Sequence, residues 1–180
     1  MKNTYQIDPA HSSVQFSVRH LMVSNVKGTF SGVTGTAVYD PEKPGETTIE
    51  ASIDVNTVNT NDEKRDGHLK TPDFFDAGQY PTITFKSTAV EPSGDGFKVT
   101  GDLTLHGVTK EVVLTVEEVS GEAKDPWGNL RIGANAKSKL KRSDFGLTWN
   151  AALETGGVVI SDDVKIEFEL EFVKQQGAAA

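Results

Sequence analysis

The sequence predicts an all-β protein of roughly eight antiparallel strands, closed as an up-and-down barrel or stacked as a sandwich. Three observations predict it. Apolar and polar residues alternate at period two along most of the chain, the pattern of strands with one buried face. Turn chemistry separates consecutive strands, and hairpin-linked strands pair antiparallel. Only one stretch of the 180 residues clusters its charges as a surface helix does.

Taken in order, Val14, Phe16, Val18 and His20 share one face of the first long strand, opposite Ser13, Gln15, Ser17 and Arg19. Val26 to Tyr39 carries Gly28, Gly32 and Gly35, which predicts a bent or bulged strand. Ile49, Ala51, Ile53 and Val55 alternate with Thr48, Glu50, Ser52 and Asp54. From Asn61 through Gly78 a helix is expected, capped by Asn61 or Asp62 and limited by Gly67 and Pro72. Leu69, Phe74 and Phe75 would be its buried contacts. Ile83 and Phe85 mark the next strand, and Phe97, Val99, Leu103 and Leu105 the one after. Val112 to Val119 is apolar on both parities, which predicts cover on both faces. Leu130, Ile132, Ala134 and Ala136 share a face, as do Val164, Ile166, Phe168, Leu170 and Phe172. A second short helix is expected within Ser143 to Glu154, before Gly156-Gly157. Asp40 to Gly45, Pro92 to Gly96 and His106-Gly107 read as hairpin turns. Residues 1–174 therefore read as one domain, and 175–180 as a disordered tail with nothing to bury.

The net charge of -8 disfavours nucleic-acid and anionic-membrane partners, which need clustered cations. With no cysteine, disulfides, thiolate metal sites and cysteine nucleophiles are excluded. The apolar runs are too short for a membrane-spanning helix. The start, Met1 to Gln6, lacks the apolar run of a signal peptide. The expected location is therefore cytoplasmic, or periplasmic if a leader has been removed.

The sequence carries no recognisable catalytic, nucleotide-binding or metal-binding motif, so no catalytic residue, metal or cofactor is expected. None of His11, His20, His68 and His106 has metal-ligand spacing to another. Three read as hydrogen-bonded structural residues. His20, at the end of an apolar face, is placed to meet a ligand head group. The acidic run Asp62, Glu63, Asp66, Asp73 and Asp76 reads as a solvated helix face with caps. Arg142 and Asp144 read as a structural ion pair, with phosphate binding by Arg142 as the alternative. The strand-periodic phenylalanines either fill the interior or line a ligand site. An eight-stranded barrel is just wide enough for either state, and parity does not separate the two.

Several stretches in collinear order resemble the YceI-like family. Tyr5-Gln6-Ile7-Asp8-Pro9-Ala10-His11-Ser12, followed by Val14, Phe16, Val18 and His20, matches its opening. Gly28-Thr29-Phe30, Asp73-Phe74-Phe75-Asp76, Tyr80-Pro81 and Ile83-Thr84-Phe85-Lys86-Ser87 follow. Leu103-Thr104-Leu105-His106-Gly107-Val108-Thr109-Lys110 is the most recognisable phrase. Arg142 to Leu147 and the closing strand Val164 to Phe172 complete the set. The resemblance implies an extended, eight-stranded, lipocalin-like antiparallel barrel with one or two short helices. It also implies a long apolar lipid, a polyisoprenoid or isoprenoid quinone, held in the interior by a carrier or storage protein, and no settled enzymatic activity. Matched inward positions are Val14, Phe16, Val18, His20, Phe30, Ile83, Phe85, Leu103, Leu105, Phe168 and Leu170; parity adds Ile53 and Ala134. Two other functions compete. One is an enzyme acting on an isoprenoid lipid through His20, His106 or an acidic residue. The other is a stress-related interaction protein with a filled barrel. A homodimer is a further candidate partner state.

Overall fold

The computed structural model describes residues 1–154 and 157–177. Among these residues, eleven strand segments form one closed antiparallel sheet: β1 (Asn3–Ile7), β2 (Ser13–His20), β3 (Ser24–Phe30), β4 (Val33–Tyr39), β5 (Thr48–Asp54), β6 (Thr82–Ser93), β7 (Gly96–Leu105), β8 (Val108–Val119), β9 (Ala123–Lys124), β10 (Leu130–Lys141) and β11 (Ile160–Lys174). They make eight barrel strands. β1 and β2 lie end to end along β11, β3 and β4 continue each other beside them, and β8 and β9 share the edge of β10. Pairing of β10 with β11 closes the ring.

The breaks have local causes. Pro9 cannot donate to the ladder, and the chain makes a short 3-10 turn at Pro9–His11 capped by the Asp8 carboxylate. The Ser12 hydroxyl then takes over the ladder, donating to Glu171 O and accepting from Glu171 N. At Ser31-Gly32 the expected bend occurs. β4 stays with β5, while β3 leaves it and forms a bridge between Thr29 and Asn59. The gap between β3 and β6 is covered by residues 55–81, whose helix α1 (Glu63–Leu69) is capped by Asp62. Val55, Val58, Phe74 and Ala77 from this segment are buried.

Two sequence expectations are corrected. Val112 to Val119 is not covered on both faces, since Val113 is 46% exposed. A bulge near Glu117 resets the parity, so Val112, Leu114 and Val116 face inward before it and Val119 pairs with Ala134 after it. The second helix is one 3-10 turn, Arg142–Phe145, ended by Gly146 in the left-handed region. Residues 150–154 extend as irregular chain, and Gly156 lies outside the described residues. Of the tail, Gln175 N donates to Thr4 O; residues 178–180 also lie outside the description.

A clip holds the β1–β2 break to the far edge. Arg131 on β10 reaches Asp8, Asp125 and Glu171. Hydrogen bonds from Arg131 and His11 hold the Asp8 carboxyl at about 2, below its ordinary 3.8. Arg131 and Asn129 hold Asp125 lower still. A carboxylate with a depressed folded value stabilises the fold above its unfolded value and loses that contribution as pH falls through the folded one. The melting temperature is expected to drop between pH values of about 4 and about 2. Arg131→Met should lower it at pH 6 and flatten the drop; parallel melting curves for the two proteins across this range would contradict the clip.

Candidate functional site

The barrel is packed at one end and hollow above it. Tyr5, Ile7, Ala37, Val90, Val99, Ile132 and Phe172 are buried at the lower end, where the Tyr5 hydroxyl donates to Glu122 at 2.6 Å. Above them lies a cavity of about 410 Å³, within the range of small-molecule sites. Its wall is almost wholly apolar. Inward side chains such as Val164, Ile166, Phe168 and Leu170 keep accessible surface although they face the interior.

All thirteen positions singled out from sequence lie on this wall: Val14, Phe16, Val18, His20, Phe30, Ile53, Ile83, Phe85, Leu103, Leu105, Ala134, Phe168 and Leu170. Barrel geometry explains why the phenylalanines do not close it. Phe16 lies opposite Gly28 and its ring occupies the space where a side chain on Gly28 would stand. Phe85 does the same over Gly101. Each ring folds flat along the wall because the glycine leaves room, an arrangement that also shields the glycine backbone. Phe16, Phe30 and Phe75 then pack at tilted or edge-on angles, with centroids 5.5–6.4 Å apart.

Polar residues gather at the upper end. His20 is the cross-strand partner of Ile160. Arg142, 9% exposed, donates to four carbonyls: Ser161 at 2.9 Å, Leu147 at 2.7 Å, Trp149 at 2.9 Å and Ile160 at 3.3 Å. The expected ion pair with Asp144 is absent among the described residues; Asp144 is exposed. Burial lowers the guanidinium's proton affinity, opposed by the charge of Asp162. Trp149 packs edge-on against His68, centroids 5.1 Å apart, and His68 sits one turn beyond Arg65 on α1. Arg65 is held by Thr60, its Nε donating to the hydroxyl and Nη2 to the carbonyl, both at 2.8 Å. Sequence reading missed Thr60, Arg65, His68 and Trp149 because they lie off the strands, where parity has no reach.

The other candidate proton-transfer groups are engaged structurally. His106 Nδ1 meets Phe145 O at 3.1 Å, and its ring packs on Tyr80. Asp62 caps α1, Asp66 accepts from Thr60, and Asp73 pairs with His68 at 2.9 Å. Asp8, His11 and Glu171 come within metal-ligating distance of one another. Arg131 already bonds both carboxylates, and its charge opposes a metal ion there.

Residues 5–172 match the family model for the YceI-like domain. The chain belongs to the YceI-like family. It is 36% identical over 174 residues to Protein YceI of Salmonella newport strain SL254, covering 96% of this chain and 87% of that protein. It is 41% identical over 145 residues to Protein YceI of Escherichia coli strain UMN026, covering 79% and 75%. Among solved structures, Burkholderia cenocepacia BcnA superposes with a TM-score of 0.80 at 26% identity, covering 92% of this chain and 98% of that one. The Campylobacter jejuni YCEI protein gives 0.73 at 35%, covering 88% and 90%. A domain from Saccharophagus degradans described as polyisoprenoid binding and implicated in plant cell wall breakdown shares the fold, with a TM-score of 0.64 at 20% identity. No helix among the described residues is long and apolar enough to cross a membrane.

Proposed function

We propose that this YceI-like barrel holds one long apolar chain, such as a polyisoprenoid or an isoprenoid quinone, in its cavity as a carrier or storage protein. The observation that carries the reading is the hollow, apolar interior: inward-facing leucine, isoleucine and phenylalanine side chains border open volume instead of one another. A filled barrel would bury them against each other at crystal-like density. The polyisoprenoid-binding description of a domain with the same fold supports the same ligand class.

The energetics suit a tail-binding site. Each buried methylene is worth about 0.8 kcal/mol, so a chain of about twenty carbons gains ~15 kcal/mol before ordering costs. Those costs leave a much smaller net affinity. An apolar wall tells chains apart by only ~1–3 kcal/mol per methylene, so it selects a class of tail more than a single molecule.

Organic extraction of the folded, purified protein, read by mass spectrometry, is expected to release an isoprenoid or fatty molecule. Repeated extracts without such a molecule, together with failure to bind added lipid, would overturn the reading. Turnover of the extracted lipid on incubation would favour an enzyme instead of a carrier.

A further inference from the structure

We infer that the β2–β3 hairpin is a membrane-docking edge that seats the barrel on the surface of an anionic lipid bilayer. Leu21, Met22 and Val23 enter the interface, and a row of lysines on the outer wall meets the head groups. This goes beyond tail binding and is tested separately from it.

The hairpin is built against its own stability. Val23 N donates to His20 O at 3.1 Å and closes a tight turn. Both central residues are left-handed, with φ 52° at Leu21 and 59° at Met22. Two consecutive left-handed positions make the type I′ geometry, which favours Asn-Gly. Here two large apolar residues fill it, and burial does not compensate them: Leu21 is 43%, Met22 54% and Val23 77% exposed. Val158 adds a further exposed apolar side chain beside them, since its neighbour Val159 accepts from Leu21 N. Backbone strain combined with exposed apolar surface points to a contact made outside the chain.

Charge identifies that contact as an anionic bilayer. The net charge of -8 argues against one on average, but it is unevenly spread. On the outer wall below the hairpin, Lys27 stands opposite Ser17, Ser17 opposite Lys165, and Lys165 opposite Lys139. Like charges directly opposite each other destabilise a sheet, and Asp163 relieves only Lys139, at 3.1 Å. Arg19 and Lys141 lie on the hairpin side of this row. Arg19, Lys27, Lys141 and Lys165 form no ion pair among the described residues. Farther down, β11 turns to Glu167, Glu169 and Glu171, and Lys137 is paired with Glu117. The wall is therefore cationic toward the hairpin and acidic along β11 toward the packed end.

The heights agree with docking. Ser17 lies four residues before Leu21, about 13 Å along the strand, or about 10 Å along the axis at ordinary strand tilt. Apolar groups at an interface sink about 5–10 Å, which brings the lysine row to the head groups. Elsewhere on the rim, α1 and its cap carry Asp62, Glu63 and Asp66, so the barrel leans onto its β2–β3 side.

The test is flotation of the whole protein with vesicles of phosphatidylcholine alone, or with about one-third phosphatidylglycerol. Partition into the anionic vesicles is expected to be at least about fivefold tighter at low salt, the difference fading as salt rises. Leu21→Asn with Met22→Gly gives the turn its preferred residues. This pair should raise the melting temperature and weaken binding to anionic vesicles about tenfold, a combination that a merely structural turn would not show. Lys27→Glu with Lys165→Glu should remove the preference for anionic vesicles without lowering the melting temperature. Uptake of oleyl alcohol should be unchanged by either pair, which separates failure at the membrane from failure of the cavity. The proposal is overturned by absence of vesicle binding at low salt, by equal binding to both compositions, or by a turn variant that binds as wild type. A wild-type dimer that the turn variant disperses would overturn it too, because the patch would then seat a second copy.

Discussion

Arg142→Ala is expected to lower the melting temperature by roughly 8–15 °C. The guanidinium is the shared donor for the carbonyls of Leu147, Trp149, Ile160 and Ser161. Removing it strands buried acceptors at about 1–3 kcal/mol each, discounted where water can enter. A total near 4 kcal/mol is in line with the loss of a buried polar network, and corresponds to that temperature shift for a chain of this size. Lysine should not rescue it, because three donors from a single point do not span four carbonyls. The check is thermal unfolding of wild type and both variants. A fall of less than about 3 °C would mean that these carbonyls are satisfied without the arginine.

Ala134→Trp should do the reverse: leave the fold nearly unchanged and remove most of the binding. Ala134 lies on the cavity wall between Leu170 and Val119. In a filled core, an indole at this position would cost about 1–3 kcal/mol in strain. In a hollow of about 410 Å³ it occupies vacant apolar volume. The ligand then loses contact worth about four methylenes, ~3 kcal/mol, or about 100-fold in affinity. Near-normal melting with weak lipid binding is the expected pair of results. Strong destabilisation, or unchanged affinity, would mean that the side chain at 134 does not compete with a ligand.

The strands were legible because one-sided burial writes itself as alternation. Val164 to Phe172 alternates without a break, and every inward residue of that run lies where parity puts it. Legibility failed where the backbone leaves period two. The bulge near Glu117 moved Val119 to the inward face, so mixed parity imitated two-sided cover. A second short helix is expected within Ser143 to Glu154, before Gly156-Gly157, yet the fold of this segment is set by the carbonyl contacts of Arg142, which are tertiary and carry no local signal. The cavity wall was readable for the same reason as the strands. Whether the wall enclosed space was not, because it depends on rings lying over Gly28 and Gly101, a cross-strand relation that needs the register. The polar collar is assembled from α1, the 3-10 turn at Arg142 and the chain around Trp149, three places that alternation does not describe.

The two tryptophans give the most direct reading of the central claim. Trp149 lies on the cavity wall, while Trp127 is 82% exposed in the turn before β10, at the opposite end of the barrel. With Trp127→Phe, the remaining tryptophan emission comes from the cavity. Titrating this protein with a long-chain alcohol brominated along its tail is expected to quench Trp149 in a saturable manner at one ligand per barrel, and the same titration on the background of Ala134→Trp, followed by displacement of unlabelled lipid, should show weak uptake. Emission from Trp149 that is unchanged by the brominated chain, while that chain still associates with the protein, would place the ligand outside the barrel and contradict the account.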